Sequence, residues 1–102
     1  MASRHQLLDD ALAMSEQMAV LADAGDWPAV IDLEPRRRQL LEQAFATRAP
    51  IDDVIAERVK AILALDKRLM AQTVSARDGL AAEVSRATKG RKATSAYQAA
   101  SR

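Results

Sequence analysis

Residues 51–89 read IDDVIAERVKAILALDKRLMAQTVSARDGLAAEVSRATK, a stretch without proline and with one glycine, Gly79. Apolar side chains recur in it at alternating steps of four and three, the period of a helix face that packs against a neighbour. The row is Ile55, Val59, Ile62, Asp66, Leu69, Thr73, Ala76, Leu80, Val84 and Ala87, and a second row is Leu63, Met70 and Val74. The pattern predicts one helix of about 58 Å, which is longer than a compact chain of this size can cover. We therefore expect part of its apolar face to meet a terminal segment or another protein.

The composition of the chain favours a small helical domain. Of its 102 residues 49% are apolar and only 3% are aromatic, so the core must be built mainly from aliphatic side chains and methionine. This is typical of helical bundles, and the length predicts a single domain. Fifteen basic and fourteen acidic residues nearly cancel. That balance argues against a surface built as a whole for nucleic acid or an anionic membrane.

Several functional classes lack the residues that their chemistry needs. The chain has no cysteine, and its one histidine, His5, has no candidate ligands at metal-site spacing. Ser15 is not accompanied by a partnered base, so we expect no catalytic residue, no cofactor and no metal. Asp9 and Asp10 interrupt the apolar part of the N-terminus, and no apolar run approaches the roughly 20 residues that span a bilayer. The sequence therefore predicts a cytoplasmic protein without membrane insertion.

Two shorter helices precede the long one. The first, at about residues 3–24, has an apolar face that repeats at helical period. That face comprises Leu7, Ala11, Met14, Met18 and Leu21, flanked by Leu8, Leu12 and Ala22. Gly25 suits the left-handed residue that ends a helix, and Asp26 and Pro28 suit the start of the next, at about residues 27–47. Pro35 lies inside this second helix, where we expect a kink rather than a break.

Short connections predict that consecutive helices are antiparallel neighbours. The expected fold is all-α: an antiparallel three-helix bundle over residues 1–90, whose long third helix spans about residues 52–89 and ends at Gly90. Residues 91–102 are predicted to be a short tail that folds back as two helical turns, or to be a frayed end. Reflection about Gly90 places Tyr97 at the level of Val84.

Several side chains allow a structural and a functional interpretation. Trp27 and Phe45 lie on the apolar face of the second helix, which favours core packing over ligand contact. Asp66 interrupts the apolar row of the long helix and lies about one turn from Arg37, so it either pairs with Arg37 or turns to the edge of the row. The basic clusters of the chain are better explained as solvated or dipole-complementing groups than as a nucleic-acid site. They are Arg36, Arg37 and Arg38, and Arg86, Lys89, Arg91 and Lys92.

The order of several short motifs across almost the whole chain resembles the flagellar export chaperone FliT family. These motifs are Met14-Ser15-Glu16-Gln17-Met18, Gly25-Asp26-Trp27, Leu33-Glu34 with Arg37 and Leu40-Leu41, Ile62 with Asp66 and Leu69, Gly90-Arg91-Lys92-Ala93, and Ala96-Tyr97. Pro35 departs from the helix-favouring residue expected there. The resemblance implies a small helical bundle that binds the flagellar filament-cap protein in the cytoplasm and delivers it to the type III export apparatus. It also implies the export ATPase, the export gate and the flagellar master transcriptional regulator as further partners.

The resemblance implies, in addition, a C-terminal segment that competes with partners, here residues 91–102 with Tyr97 as its anchor beside Arg91 and Lys92. From the residues themselves, we expect a client helix to bind the apolar face of the long helix, at Leu69, Met70, Val74, Leu80 and Val84. Two alternatives stay open: a regulator that sequesters a transcription factor, and a coiled-coil protein that only self-associates. Whether the protein is a homodimer is also open.

Overall fold

The computed structural model describes residues 2–46 and 48–100, with side chains described as far as residue 90. Every regular element in this part of the chain is an α-helix: α1 (Arg4–Asp23), α2 (Trp27–Ala44) and α3 (Asp53–Ala100). The all-α class predicted from the sequence is therefore confirmed. The chain divides into two compact units, Met1–Gln72 and Thr73–Arg102.

The end of α1 and the start of α2 are set by local chemistry. Ser3 caps α1 by accepting a hydrogen bond from the backbone N–H of Gln6 at 3.1 Å. Gly25 follows α1 with φ of 75°, a left-handed conformation that glycine adopts without a Cβ clash. Asp26 then accepts a hydrogen bond from the backbone N–H of Ala29 at 3.3 Å and caps α2.

Helix α2 runs without a break through Pro35, which is exposed. It ends at Ala44, three residues before the predicted end, and Phe45 is its C-cap. The backbone N–H of Phe45 still donates to the carbonyl of Leu41 at 3.1 Å. The kink expected at Pro35 stays a prediction.

Helix α3 continues past the position where the sequence predicted its end. Gly90 is helical, and Gly25 is the one glycine with positive φ, so Gly90 does not form a left-handed cap. A glycine inside a helix costs only about 1 kcal/mol relative to alanine, and the alanine-rich residues after it favour helix. The predicted break at Gly90 is therefore wrong for this structure, in which α3 reaches Ala100.

The apolar core of the first unit consists of two clusters. The first comprises Leu8, Ala11, Ala44, Ile55 and Ile62. The second comprises Met18, Ala22 and Val30, with Trp27, Leu33 and Leu69 packed against it. The start of α1 shares the first cluster with the end of α2, and the end of α1 shares the second cluster with the start of α2. The two helices therefore run in opposite directions.

The buried row of α1 shares Ala11 and Met18 with the predicted row and is shifted by one residue at the other three positions. The buried row comprises Leu8, Ala11, Ser15, Met18 and Ala22. The predicted row members outside it are half-buried: Leu7, Met14 and Leu21. Both rows have the same period, so the repeat alone does not fix the rotation of the helix around its axis. The rotation brings a polar side chain, Ser15, into the core.

Charged side chains join α1 to α3 along the first unit. Asp9 accepts from Arg58 at 2.6 Å, and Asp23 accepts from Arg68 at 2.6 Å. Position increases along both helices from the first pair to the second, so α1 and this half of α3 run in the same direction. These pairs are exposed and contribute mainly to register.

Candidate functional site

An apolar groove of about 250 Å³ opens between α2 and α3 in the first unit. It is lined by Leu41, Phe45, Val59, Ile62, Leu63 and Asp66. Asp66 is the one charged residue among them. The volume lies below the roughly 300–1,000 Å³ typical of small-molecule sites. The groove therefore suits one or two apolar side chains of a protein partner.

The groove forms because two helices each present residues at helical spacing. Leu41 and Phe45 are one turn apart at the end of α2, and Val59, Ile62, Leu63 and Asp66 lie on two turns of α3. Ile62 is 3% exposed and forms the floor, whereas Leu63 is 60% exposed and Phe45 is 43% exposed. Phe45 was predicted to lie in the core, but it forms a wall of the groove and keeps much of its ring in solvent.

One polar network lies beside the groove. Arg37 Nη1 donates to Asp66 Oδ1 and, at 3.4 Å, to Ser15 Oγ. Ser15 Oγ in turn donates to the carbonyl of Ala11 at 2.8 Å. The structure thus brings Arg37 and Asp66 together and adds Ser15 from α1, so the network joins all three helices.

Asp52 closes the connection into α3. Its Oδ1 accepts from the backbone N–H of Ile55 at 2.8 Å, and its Oδ2 lies 2.8 Å from Nε2 of His5. The pKa of Asp52 is lowered below its ordinary value of 3.8. The hydrogen bond from Ile55 has the larger effect, and the one from His5 has the next largest. Asp52 therefore stays ionised as the cap of α3 and holds the N-terminus of α1 beside it.

The predicted client-binding residues differ in their surroundings. In the first unit, Leu69 is half-buried against the second core cluster, whereas Met70 is 70% exposed. Leu69 therefore contributes to core packing, and its contact with a client stays a prediction. In the second unit, every described side chain from residue 73 to residue 90 is exposed, including Val74, Leu80 and Val84.

The three consecutive arginines of α2 do not form one basic face. Arg37 is 12% exposed and pairs with Asp66, and Arg38 lies 3.6 Å from Glu34. Arg36 is exposed and takes part in neither of these two pairs. The side chains of Arg91, Lys92 and Tyr97, which were assigned to a regulatory tail, lie outside the part of the chain that the structure describes.

Sequence reasoning missed two features of the site. Leu41, Val59 and Leu63 were each assigned to apolar helix faces, but their meeting in a groove was not predicted. Ser15 was weighed as a nucleophile and quoted within a family motif, but its place in the four-three row with Leu8, Ala11 and Ala22 was not used to predict burial. A serine within an apolar row is a signal for a buried hydrogen bond.

The described residues hold no group of three histidine, aspartate or glutamate side chains that could bind a metal ion. Across the same residues, no helix combines the length and apolarity that a bilayer crossing requires.

The family model described as Flagellar protein FliT matches residues 5–99 of the chain. The chain belongs to the FliT family. This family comprises flagellar export chaperones, and it is not known for enzymatic activity. No curated protein and no solved structure matched the chain. A FliT-family chaperone needs a surface for a flagellar protein partner, and the groove and the exposed apolar residues of α3 are the candidates.

Proposed function

We propose that the chain is a cytoplasmic chaperone that binds the flagellar filament-cap protein, keeps it unassembled and delivers it to the type III export apparatus. The observation that carries the proposal is the open apolar groove between α2 and α3. Exposed apolar surface rimmed by polar groups is typical of protein-binding sites, and an amphipathic helix lays its apolar face into such a groove. Membership of the FliT family supports a flagellar client.

We infer that the client inserts apolar side chains between Phe45 and Leu63, above Ile62. Met70, two turns after Leu63 on α3, offers a flexible exposed side chain that can adjust to the incoming segment. Asp66 supplies a hydrogen-bond acceptor at one edge, and its position is held by Arg37. A partner helix that carries a hydroxyl or amide donor beside its apolar row would satisfy both features.

The exposed residues of the second unit provide a separate apolar surface. Leu80 and Val84 are one turn apart on α3 and are 62% and 58% exposed. We propose that this surface also contacts the client or one of the family's other partners: the export ATPase, the export gate or the master transcriptional regulator. Val74, 42% exposed, lies on the neighbouring row.

We propose that residues 91–102 regulate access to the chaperone by folding back, with Tyr97 as anchor. Because α3 is continuous through Gly90 in this structure, the folded-back form requires the helix to open near that glycine. Gly90 is a suitable hinge, since glycine reaches backbone conformations that other residues avoid.

A binding experiment with matched variants tests the groove. Leu63→Glu should abolish binding of the purified filament-cap protein in isothermal titration calorimetry, because it places a carboxylate against apolar client side chains. Val20→Glu is the control, since Val20 is 67% exposed on α1 and does not line the groove. Leu80→Asp tests the second surface in the same assay. Normal binding by Leu63→Glu would overturn the groove as the client site.

A further inference from the structure

One arginine at the start of α1 holds the end of α2. Arg4 Nε donates to the carbonyl of Ala44 at 2.9 Å, and Arg4 Nη1 donates to the carbonyl of Ala49 at 2.9 Å. The same Nη1 lies 3.4 Å from the carbonyl of Pro50. The last carbonyls of a helix have no intrahelical partner, so Arg4 satisfies the end of α2 and the connection that follows it.

The guanidinium group of Arg4 also lies over the ring of Phe45, with its Cζ atom 5.4 Å from the ring centroid. This is within the distance at which a cation is attracted to an aromatic face. Phe45 is the C-cap residue of α2 and a wall of the groove, whereas Arg4 does not line the groove. Arg4 therefore contacts the ring from outside the groove and fixes the backbone on both sides of it.

We propose that Arg4 is a positioning residue for the groove: it sets the orientation of Phe45 and thereby the opening between α2 and α3. Phe45 is 43% exposed, so packing alone constrains its ring weakly. The fork of donors on one guanidinium group reaches both carbonyls and the ring face together, which a lysine ammonium group does not do. The proposal rests on the proposed function only in taking the groove as the client site.

The test uses the fact that the chain has one phenylalanine. Protein labelled with ¹³C on the phenylalanine ring gives NMR signals from Phe45 alone, and the neutral fluorophore N-phenyl-1-naphthylamine serves as an apolar probe. In Arg4→Gln we expect the ring signals to move or broaden and the probe affinity at Phe45 to fall about fivefold. Arg4→Lys keeps the charge and should restore only part of the ring position.

Arg58→Gln is the matched control, because it removes a charge of the same sign and a different contact of α1, the one with Asp9, without touching Phe45. Its ring signals and probe affinity should equal those of the unsubstituted protein. Unchanged ring signals in Arg4→Gln would overturn the proposal, as would equal changes in Arg58→Gln or full restoration by Arg4→Lys. Circular dichroism on each variant confirms that it is folded. Loss of filament-cap binding is measured separately, so a wrong client site and a wrong role for Arg4 give different results.

Discussion

Arg37 is the most buried charged side chain among the described ion pairs, at 12% exposed, and it lies where α1, α2 and α3 meet. Its Nη1 atom donates to Asp66 and Ser15, but its buried Nε atom has no acceptor among the described residues. A buried charge is costly unless it is paired, so the fold depends on Asp66 to compensate Arg37. We expect the main effect of the pair to be the choice of one register of the three helices, with a small net contribution to the free energy of unfolding.

Asp66→Ala should lower the free energy of unfolding by about 2 kcal/mol, because Arg37 would lose its carboxylate partner. Urea unfolding followed by circular dichroism measures this change. Glu34→Ala is the control, since its pair with Arg38 is exposed and should contribute about 0.5 kcal/mol or less. If Arg37→Met is added to Asp66→Leu, much of the stability should return. Equal losses for Asp66→Ala and Glu34→Ala would contradict the role of Arg37.

Asp52 makes the stability of the fold depend on pH. Its pKa is lower in the folded protein, so its contribution is present above the ordinary value of 3.8 and is lost as the pH falls through the folded pKa. The difference in free energy of unfolding between the unsubstituted protein and Asp52→Asn should therefore shrink as the pH falls below 3.8. Asp53→Asn, which leaves the Asp52 cap in place, should show a smaller change. Urea unfolding between neutral pH and pH 3 checks both, and a constant difference for Asp52→Asn would refute the expectation.

Glycine has opposite roles in two elements of this chain. Gly25 has φ of 75° in the turn between α1 and α2, where a side chain would be strained. Gly79 is helical and exposed in α3, and a Cβ added there would meet no heavy atom within 4 Å other than those of its chain neighbours and its own helix backbone. The helix thus carries a local weakness at Gly79 that no contact requires.

Gly79→Ala should therefore raise the free energy of local helix opening around residue 79 by up to about 1 kcal/mol. Amide hydrogen exchange of the residues around position 79 should slow accordingly. Gly25→Ala should instead destabilise the first unit by about 1 kcal/mol, measured by urea unfolding. The two variants control for each other, because the same methyl group is added in two backbone conformations. Faster exchange in Gly79→Ala would show that the flexibility of Gly79 is needed within α3.

At the scale of the whole molecule, the question is whether the C-terminal residues compete with partners. If they fold back, deletion of residues 92–102 or Tyr97→Ala should tighten binding of at least one partner, about 5- to 150-fold for a typical coupling free energy. Gly90→Ala should have the same direction of effect, because it favours the continuous α3 and disfavours the hinge. Calorimetric titration of each variant against the same partner decides this. Unchanged affinity would show that the tail is inert, and weaker binding would mean that Tyr97 contacts the partner.

Whether Asp66 pairs with Arg37 stayed open, but the amino-acid sequence by itself determined the three helices and the turn at Gly25 and Asp26. These features depend on the helical period and on residues with strong local preferences, which act over a few positions along the chain. Family membership also followed from the order of motifs, and the matching family model agrees with it.

Only the tertiary structure decided which side chains share a surface. A repeat of three and four residues defines a helix face to within about one residue, and one residue is a rotation of about 100°. The structure removes that uncertainty: it places Ser15, not Met14, in the core, and it leaves Leu69 half-buried and the adjacent Met70 exposed. Predicting the groove would also require the spacing between helices, because the groove exists only where the end of α2 stands apart from α3. The contacts of Arg4 with Phe45 and Ala44 join residues about 40 positions apart, a distance over which no local pattern carries information.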